Sequence, residues 1–102
     1  MTIKFKHIAL NKDYSFFMNC LPNQGCVELQ QDQPFKEHIW HKHENSETLI
    51  ILEGSMEFYY ENESRICKSG DVIFLPQNVL HGSKALEEGC RYLIAFEILG
   101  HI

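Results

Sequence analysis

His41 and His43 stand two residues apart. On an extended strand that spacing sends both side chains from the same face, so both imidazoles can reach one point. Glu47 follows Glu44, Asn45 and Ser46, a polar stretch suited to a turn that brings a carboxylate back toward the histidine pair. A third histidine, His81, comes much later, beyond Pro76. Imidazole and carboxylate together form the ligand set of zinc, nickel, iron, manganese or copper, and such a site keeps coordination positions open to water or substrate. Each residue alone also fits a plainer role, since a His-x-His pair is often solvated and a lone glutamate is usually a surface carboxylate.

The elements that must position these residues read as short strands. Apolar or alternating stretches are separated by turn residues, and no long helix is legible. Strands are expected over Ile3 to Leu10 and Gln24 to Gln30, with Leu21, Pro22, Asn23 and Gly25 between them, while Asp13 to Cys20 is ambiguous. Phe35 to His43 reads as extended. Thr48 to Leu52 is a continuous apolar run, as in a strand covered on both faces, with barrel interior on one side and a second sheet or partner subunit on the other. After Gly54, Met56, Phe58 and Tyr60 alternate with Ser55, Glu57 and Tyr59, which is the period of a strand. Glu61 to Ser64 reads as a turn, Arg65 to Cys67 as a short strand, and Val72 to Leu75 as a strand stopped by Pro76. Gly82 to Gly89 reads as a loop and Arg91 to Leu99 as the last strand. Short strands at this regular spacing point to an all-β sandwich or barrel.

A chain of 102 residues has room for one domain, spanning 1–102. At this size a fold is short of apolar burial, so pairing as a homodimer is expected. No apolar run is long enough for a transmembrane helix. The residues after Met1 show no long apolar segment with a cleavage site behind it, so the expected location is cytoplasmic. A formal net charge of −5 repels nucleic acid and anionic membranes, and neither is an expected partner. Cys20, Cys26, Cys67 and Cys90 contain no Cys-x-x-Cys pair and are expected to be reduced, partly buried thiols.

The spacing adds weight that single residues lack. His41-x-His43, three residues, Glu47, then six residues and Gly54 resembles the first signature motif of the cupin superfamily, and Gly70, five residues, Pro76, then His81 resembles the second. Two positions depart from the family pattern. Asn78 stands where a glycine is usual, and asparagine is among the residues that best tolerate a left-handed backbone. Ala85 stands where asparagine is frequent, outside the ligand positions.

The resemblance implies a double-stranded β-helix, or jelly-roll, cupin barrel that pairs as a homodimer. It also implies one divalent transition metal per chain (Zn, Ni, Fe or Mn), held by His41, His43, Glu47 and His81 beside a pocket for a small-molecule ligand or substrate. Chemistry varies widely on this fold, so fold does not give function. The first expectation is a metal-dependent enzyme acting on a small organic molecule, dioxygenase- or isomerase-like, at a three-histidine, one-glutamate site. A non-catalytic small-molecule sensor or binding module is the alternative, and a metal-stabilised structural barrel is the third reading.

Other residues carry weaker signals. His38 precedes His41 by three and so has opposite strand parity, which makes it a surface or interface histidine unless the strand is bulged. Trp40 has the same opposite parity and reads as a packing residue. His7 and His101 lie near the termini and read as solvated, while Phe58, Tyr60, Tyr92 and Phe96 read as core that could also line a pocket.

Overall fold

The computed structural model describes residues 2–21 and 27–96. Along them run β1 (Lys4–His7), α1 (Tyr14–Asn19), β2 (Val27–Asp32), β3 (Glu37–His41), β4 (Glu47–Tyr60), β5 (Glu63–Lys68), β6 (Asp71–Leu75) and β7 (His81–Phe96). Every strand pairing is antiparallel. The turn expected around Pro22 to Gly25, Cys26, His101 and the end of the last strand beyond Phe96 lie outside the described residues.

Two long strands organise the barrel. β4 and β7 pair from Glu47↔Phe96 to Tyr60↔His81, and each runs through both halves of a single seven-stranded sheet. The first half of β4 and the second half of β7 lie in the order β1-β6-β4-β7-β2, while β5 pairs with the second half of β4 and β3 with the first half of β7. The two halves share one core, in which Leu49, Ile51, Ile73 and Leu75 from one meet Met56, Phe58, Cys67 and Ala85 from the other.

The corner between the halves falls at Gly54 and Gly89. Register shifts flank Gly54, and both glycines hold positive φ, 74° and 77°. A Cβ on Gly54 would lie 2.0 Å from the carbonyl oxygen of Gly89, so no side chain fits where the strands cross. Both strands therefore continue through residues that read locally as breaks. The loop expected over Gly82 to Gly89 is instead the first half of β7. Its alternation, with Ser83 and Ala85 buried and Glu87 and Glu88 exposed toward the corner, is masked in the sequence by glycine and charge.

The outer face of Thr48 to Leu52 has its own cover. Ile50, Val72 and Phe74 pack with Ile8 and Cys20, and Leu10, Phe16, Phe17 and Leu21 close over them. The ambiguous Asp13 to Cys20 stretch holds α1, whose Phe16 and Phe17 press on the sheet. Both faces of the run are buried, and a segment of the same chain does the covering. Cys20, Cys67 and Cys90 are buried free thiols, and burial pushes the last two up to about 12.

Candidate metal centre

Two connections carry the ligands to one end of the barrel. β3 ends at His41, opposite His81 at the start of β7, and Glu47 opens β4. His43 sits just past the end of β3 rather than on it. The turn before His81 is fastened to the segment after His43, because Asn78 N–H donates to the His43 carbonyl (2.8 Å) and Gln77 N–H donates to Ser46 Oγ (3.1 Å). Asn78 holds φ 61°, the left-handed conformation expected of it.

The three imidazoles converge. One ring nitrogen from each of His41, His43 and His81 lies within 4.8 Å of the others, and the ring centroids are 4.3 to 5.2 Å apart. Three ring nitrogens gathered this closely are the donor set that could hold one divalent cation. His41 Nδ1 lies 2.6 Å from the Ile39 carbonyl, and His81 Nδ1 lies 2.9 Å from that of Val79. A carbonyl only accepts, so Nδ1 carries the proton in both rings and Nε2 keeps its lone pair, the arrangement of metal-binding histidines. The Phe58 ring stacks on His81 at 5.8 Å between centroids.

Electrostatics favour the neutral ligand form. Burial, with His41 and His43 adding to it, lowers the His81 pKa to about 4 against the opposing pull of the Val79 carbonyl. Glu47 is buried, with Oε2 3.8 Å from His43 Nε2. Its burial raises its pKa, nearby Glu28 raises it further, and His43 and His41 oppose the shift. A cation among these groups would relieve the desolvation of the carboxylate without needing to displace protons from buried His81.

A cavity of about 340 Å³ opens beside the cluster. Its polar lining includes Glu28, Gln30, His38 and Ser83, and its apolar lining includes Leu49, Met56, Phe58 and Ile94. Tyr92 and Phe96 also line it, so Phe58 and Tyr92 serve cavity as well as core, whereas Tyr60 packs against the core and Phe5.

His38 departs from the parity expectation. Between His38↔Ser83 and His41↔His81, β3 advances three residues while β7 advances two, so a bulge resets which face His38 presents. Instead of a surface or interface histidine it is a cavity residue, with Nε2 3.0 Å from both oxygens of Asp32. Trp40 is half-exposed, with its ring 6.2 Å from Tyr59, and His7 pairs with Asp71 at 2.7 Å.

Asp32, Gln30 and Tyr92 form a network that no motif marks. Asp32 is 3% exposed and accepts from Gln30 Nε2 (2.8 Å), His38 and Tyr92 Oη (3.0 Å). Burial pushes the Asp32 carboxyl upward, but these hydrogen bonds outweigh it and hold the pKa below the ordinary value. A signal exists in the sequence, because Glu28, Gln30 and Asp32 alternate with Val27 and Leu29, and it is the polar set that faces inward. A strand that turns its polar side to the interior supplies a polar wall to this cavity.

The sequence matches the cupin domain family over residues 27–96, the stretch that carries β2 to β7 and all four candidate ligands. The chain belongs to the cupin family. Its cupin fold is shared with KdgF from Halomonas sp., at a TM-score of 0.67 and 20% identity over 95% of this chain and 81% of that one. The Bacillus subtilis oxalate decarboxylase, a protein with Mn(II) centres, superposes at a TM-score of 0.63 and 25% identity, over 74% of this cupin and 22% of that chain. The pectin degradation protein KdgF of Dickeya dadantii is 40% identical over 57 residues, which is 55% of this chain. The cupin thus spans about half the length of that curated relative, 52%.

Proposed function

We propose that this cupin holds one divalent transition ion through His41, His43, Glu47 and His81, and acts as a metal-dependent enzyme on a small organic molecule in the adjoining cavity. The observation that carries the reading is the convergence of three imidazoles, two with Nδ1 tied to backbone carbonyls, beside a buried carboxylate and a cavity. Likeness to a pectin degradation protein and to a decarboxylase with Mn(II) centres supports it. When bound, the ion supplies a Lewis acid that polarises a substrate oxygen.

The chain's own residues narrow the substrate. Among the described residues neither lysine nor arginine lines the cavity, whereas Glu28 and Glu47 do. A phosphorylated substrate would find no fixed cationic side chain, so an uncharged or singly anionic oxygen compound fits better than a sugar phosphate. Leu49, Met56, Phe58 and Ile94 cover its carbon skeleton, and Ser83 and Gln30 offer hydrogen bonds.

The test is to load the purified protein separately with Zn(II), Ni(II), Fe(II) and Mn(II), then follow oxygen uptake and product formation over phenols, diketones, hydroxy ketones and uronates. Turnover that disappears in His81→Ala establishes the enzyme. Saturable binding without turnover under every metal replaces it with the binding-module reading.

A further inference from the structure

We propose that His38 is the proton-transferring catalytic residue of this cavity, with Asp32 as its positioning residue, and that the substrate is a small carbonyl compound bearing a C–H bond next to its C=O. The proposal rests on the reading of the cavity as an active site with a cation at the histidine cluster.

The geometry separates His38 from the cluster by role. Its ring lines the same cavity as His41, His43 and His81, yet its Nε2 is committed to Asp32 rather than left bare. Asp32 is an anion buried to 3% exposure, surrounded by an amide, a phenol and an imidazole that all donate to it. A carboxylate in that state only accepts, so Nε2 carries hydrogen and the lone pair of the neutral ring sits on Nδ1. Nδ1 has no hydrogen-bond partner among the described residues, and the His38 side chain keeps 31% of its exposure where that of Asp32 keeps 2%. Buried carboxylate, oriented imidazole and open nitrogen form the base half of a proton-transfer site.

The step balances without a co-reactant. Nδ1 of His38 takes the proton from the carbon beside the carbonyl, the C–H pair becomes the new C=C bond, and the carbonyl π pair moves onto oxygen. Asp32 offsets the charge of the resulting imidazolium. The same N–H then returns its proton to that carbon, which exchanges or inverts it, or to the oxygen, which gives the enol, so one C–H bond breaks, one C–H or O–H bond forms, and the product has the composition of the substrate. No oxidant, reductant or water is consumed.

The experiment uses the Zn(II)-loaded protein in D₂O with hydroxyacetone, pyruvate and acetylacetone as probes. Zinc content, deuterium entry beside the carbonyl followed by proton NMR, and the ¹⁵N tautomer signature of His38 are read together. Wild type is expected to exchange at least one probe faster than free Zn(II) does. His38→Gln should retain zinc and saturate at similar probe concentrations, with exchange slower by about 100-fold or more. Asp32→Asn, checked for folding by circular dichroism, should lose the Nε2–H signature and lower the maximal rate more than it changes the half-saturating concentration. His38→Gln that exchanges at the wild-type rate overturns the proposal, as does His38→Gln that loses zinc, which would make His38 a ligand. Wild type that binds zinc but exchanges no probe overturns the proposal alone, whereas wild type that takes up no metal overturns the proposed function with it.

Discussion

The backbone N–H of Asn78 donates to the carbonyl of His43 across 2.8 Å, so the turn that delivers one imidazole is fastened to the segment that delivers another. Asn78 makes that bond from a left-handed conformation, φ 61°. Asn78→Gly should leave thermal stability nearly unchanged. Asn78→Val should lower it by about 1–2 kcal/mol and weaken Zn(II) binding, because a β-branched side chain is strained there. Thermal unfolding paired with zinc titration checks both.

Metal content should depend on the cluster as a unit. His41→Ala, His43→Ala or His81→Ala should each lower zinc affinity by more than the 10- to 100-fold typical of outer partners. Glu47→Gln should weaken binding too, while His38→Gln leaves occupancy intact. Elemental analysis after dialysis against a fixed zinc buffer measures this, and equal occupancy in all five proteins would refute the ligand set.

Acid should destabilise the metal-free protein from an unusually high pH. The His81 pKa falls from its ordinary 6.5 to about 4 on folding, chiefly through burial. The unfolded chain therefore takes up a proton that the folded one refuses. The stability this group contributes is complete above about pH 6.5 and is lost progressively as pH falls toward 4, by roughly 3 kcal/mol in all. Urea midpoints between pH 7.5 and 4.5 should show the decline, and His81→Gln should flatten it.

Ordinary side chains should fail at the barrel corner. A methyl group on Gly54 would meet the Gly89 carbonyl at 2.0 Å, and φ of 74° is strained for alanine. Gly54→Ala is expected to lose roughly 2–5 kcal/mol. Urea denaturation at neutral pH gives the value, and a loss below 1 kcal/mol would mean that the strands can part at the crossing.

We propose homodimer assembly, resting now on different residues from those the sequence suggested. The Thr48 to Leu52 face is already covered by α1, but Leu29 is 59% exposed, Ile39 77% and Leu80 55%. Light scattering should return about twice the 11.9 kDa chain mass. A monomer at micromolar concentration would leave these side chains without a shared interface.

How far the sequence led depended on whether spacing or packing set each feature. The convergence of His41, His43 and His81 was legible because their spacing resembles the two cupin motifs, although His43 lies just past β3 and not on the shared strand face that parity assumed. Strands β1, β5 and β6 were legible because strand alternation and turn residues act over a few residues. His38 was not, because a one-residue bulge against β7 inverts its parity and nothing local announces it. The unbroken lengths of β4 and β7 were hidden by glycines that end strands in most contexts and here let two strands cross. Helix α1 was ambiguous because its six residues are held by Phe16 and Phe17 against a sheet formed much later in the chain. Asp32 lacked any motif, and only inverted polarity along β2 pointed to it.

The long pairing of β4 with β7 also bears on the order of events during folding. Glu47 finds its partner at Phe96, and His41 finds His81. Neither contact can form by a local hairpin, and loop closure must precede any gain from pairing. Chains with such remote pairings fold in milliseconds to seconds. The metal ligands therefore meet only once the barrel has closed, and an ion should bind a finished cage instead of nucleating it, so added zinc is expected to slow unfolding while leaving the refolding rate unchanged.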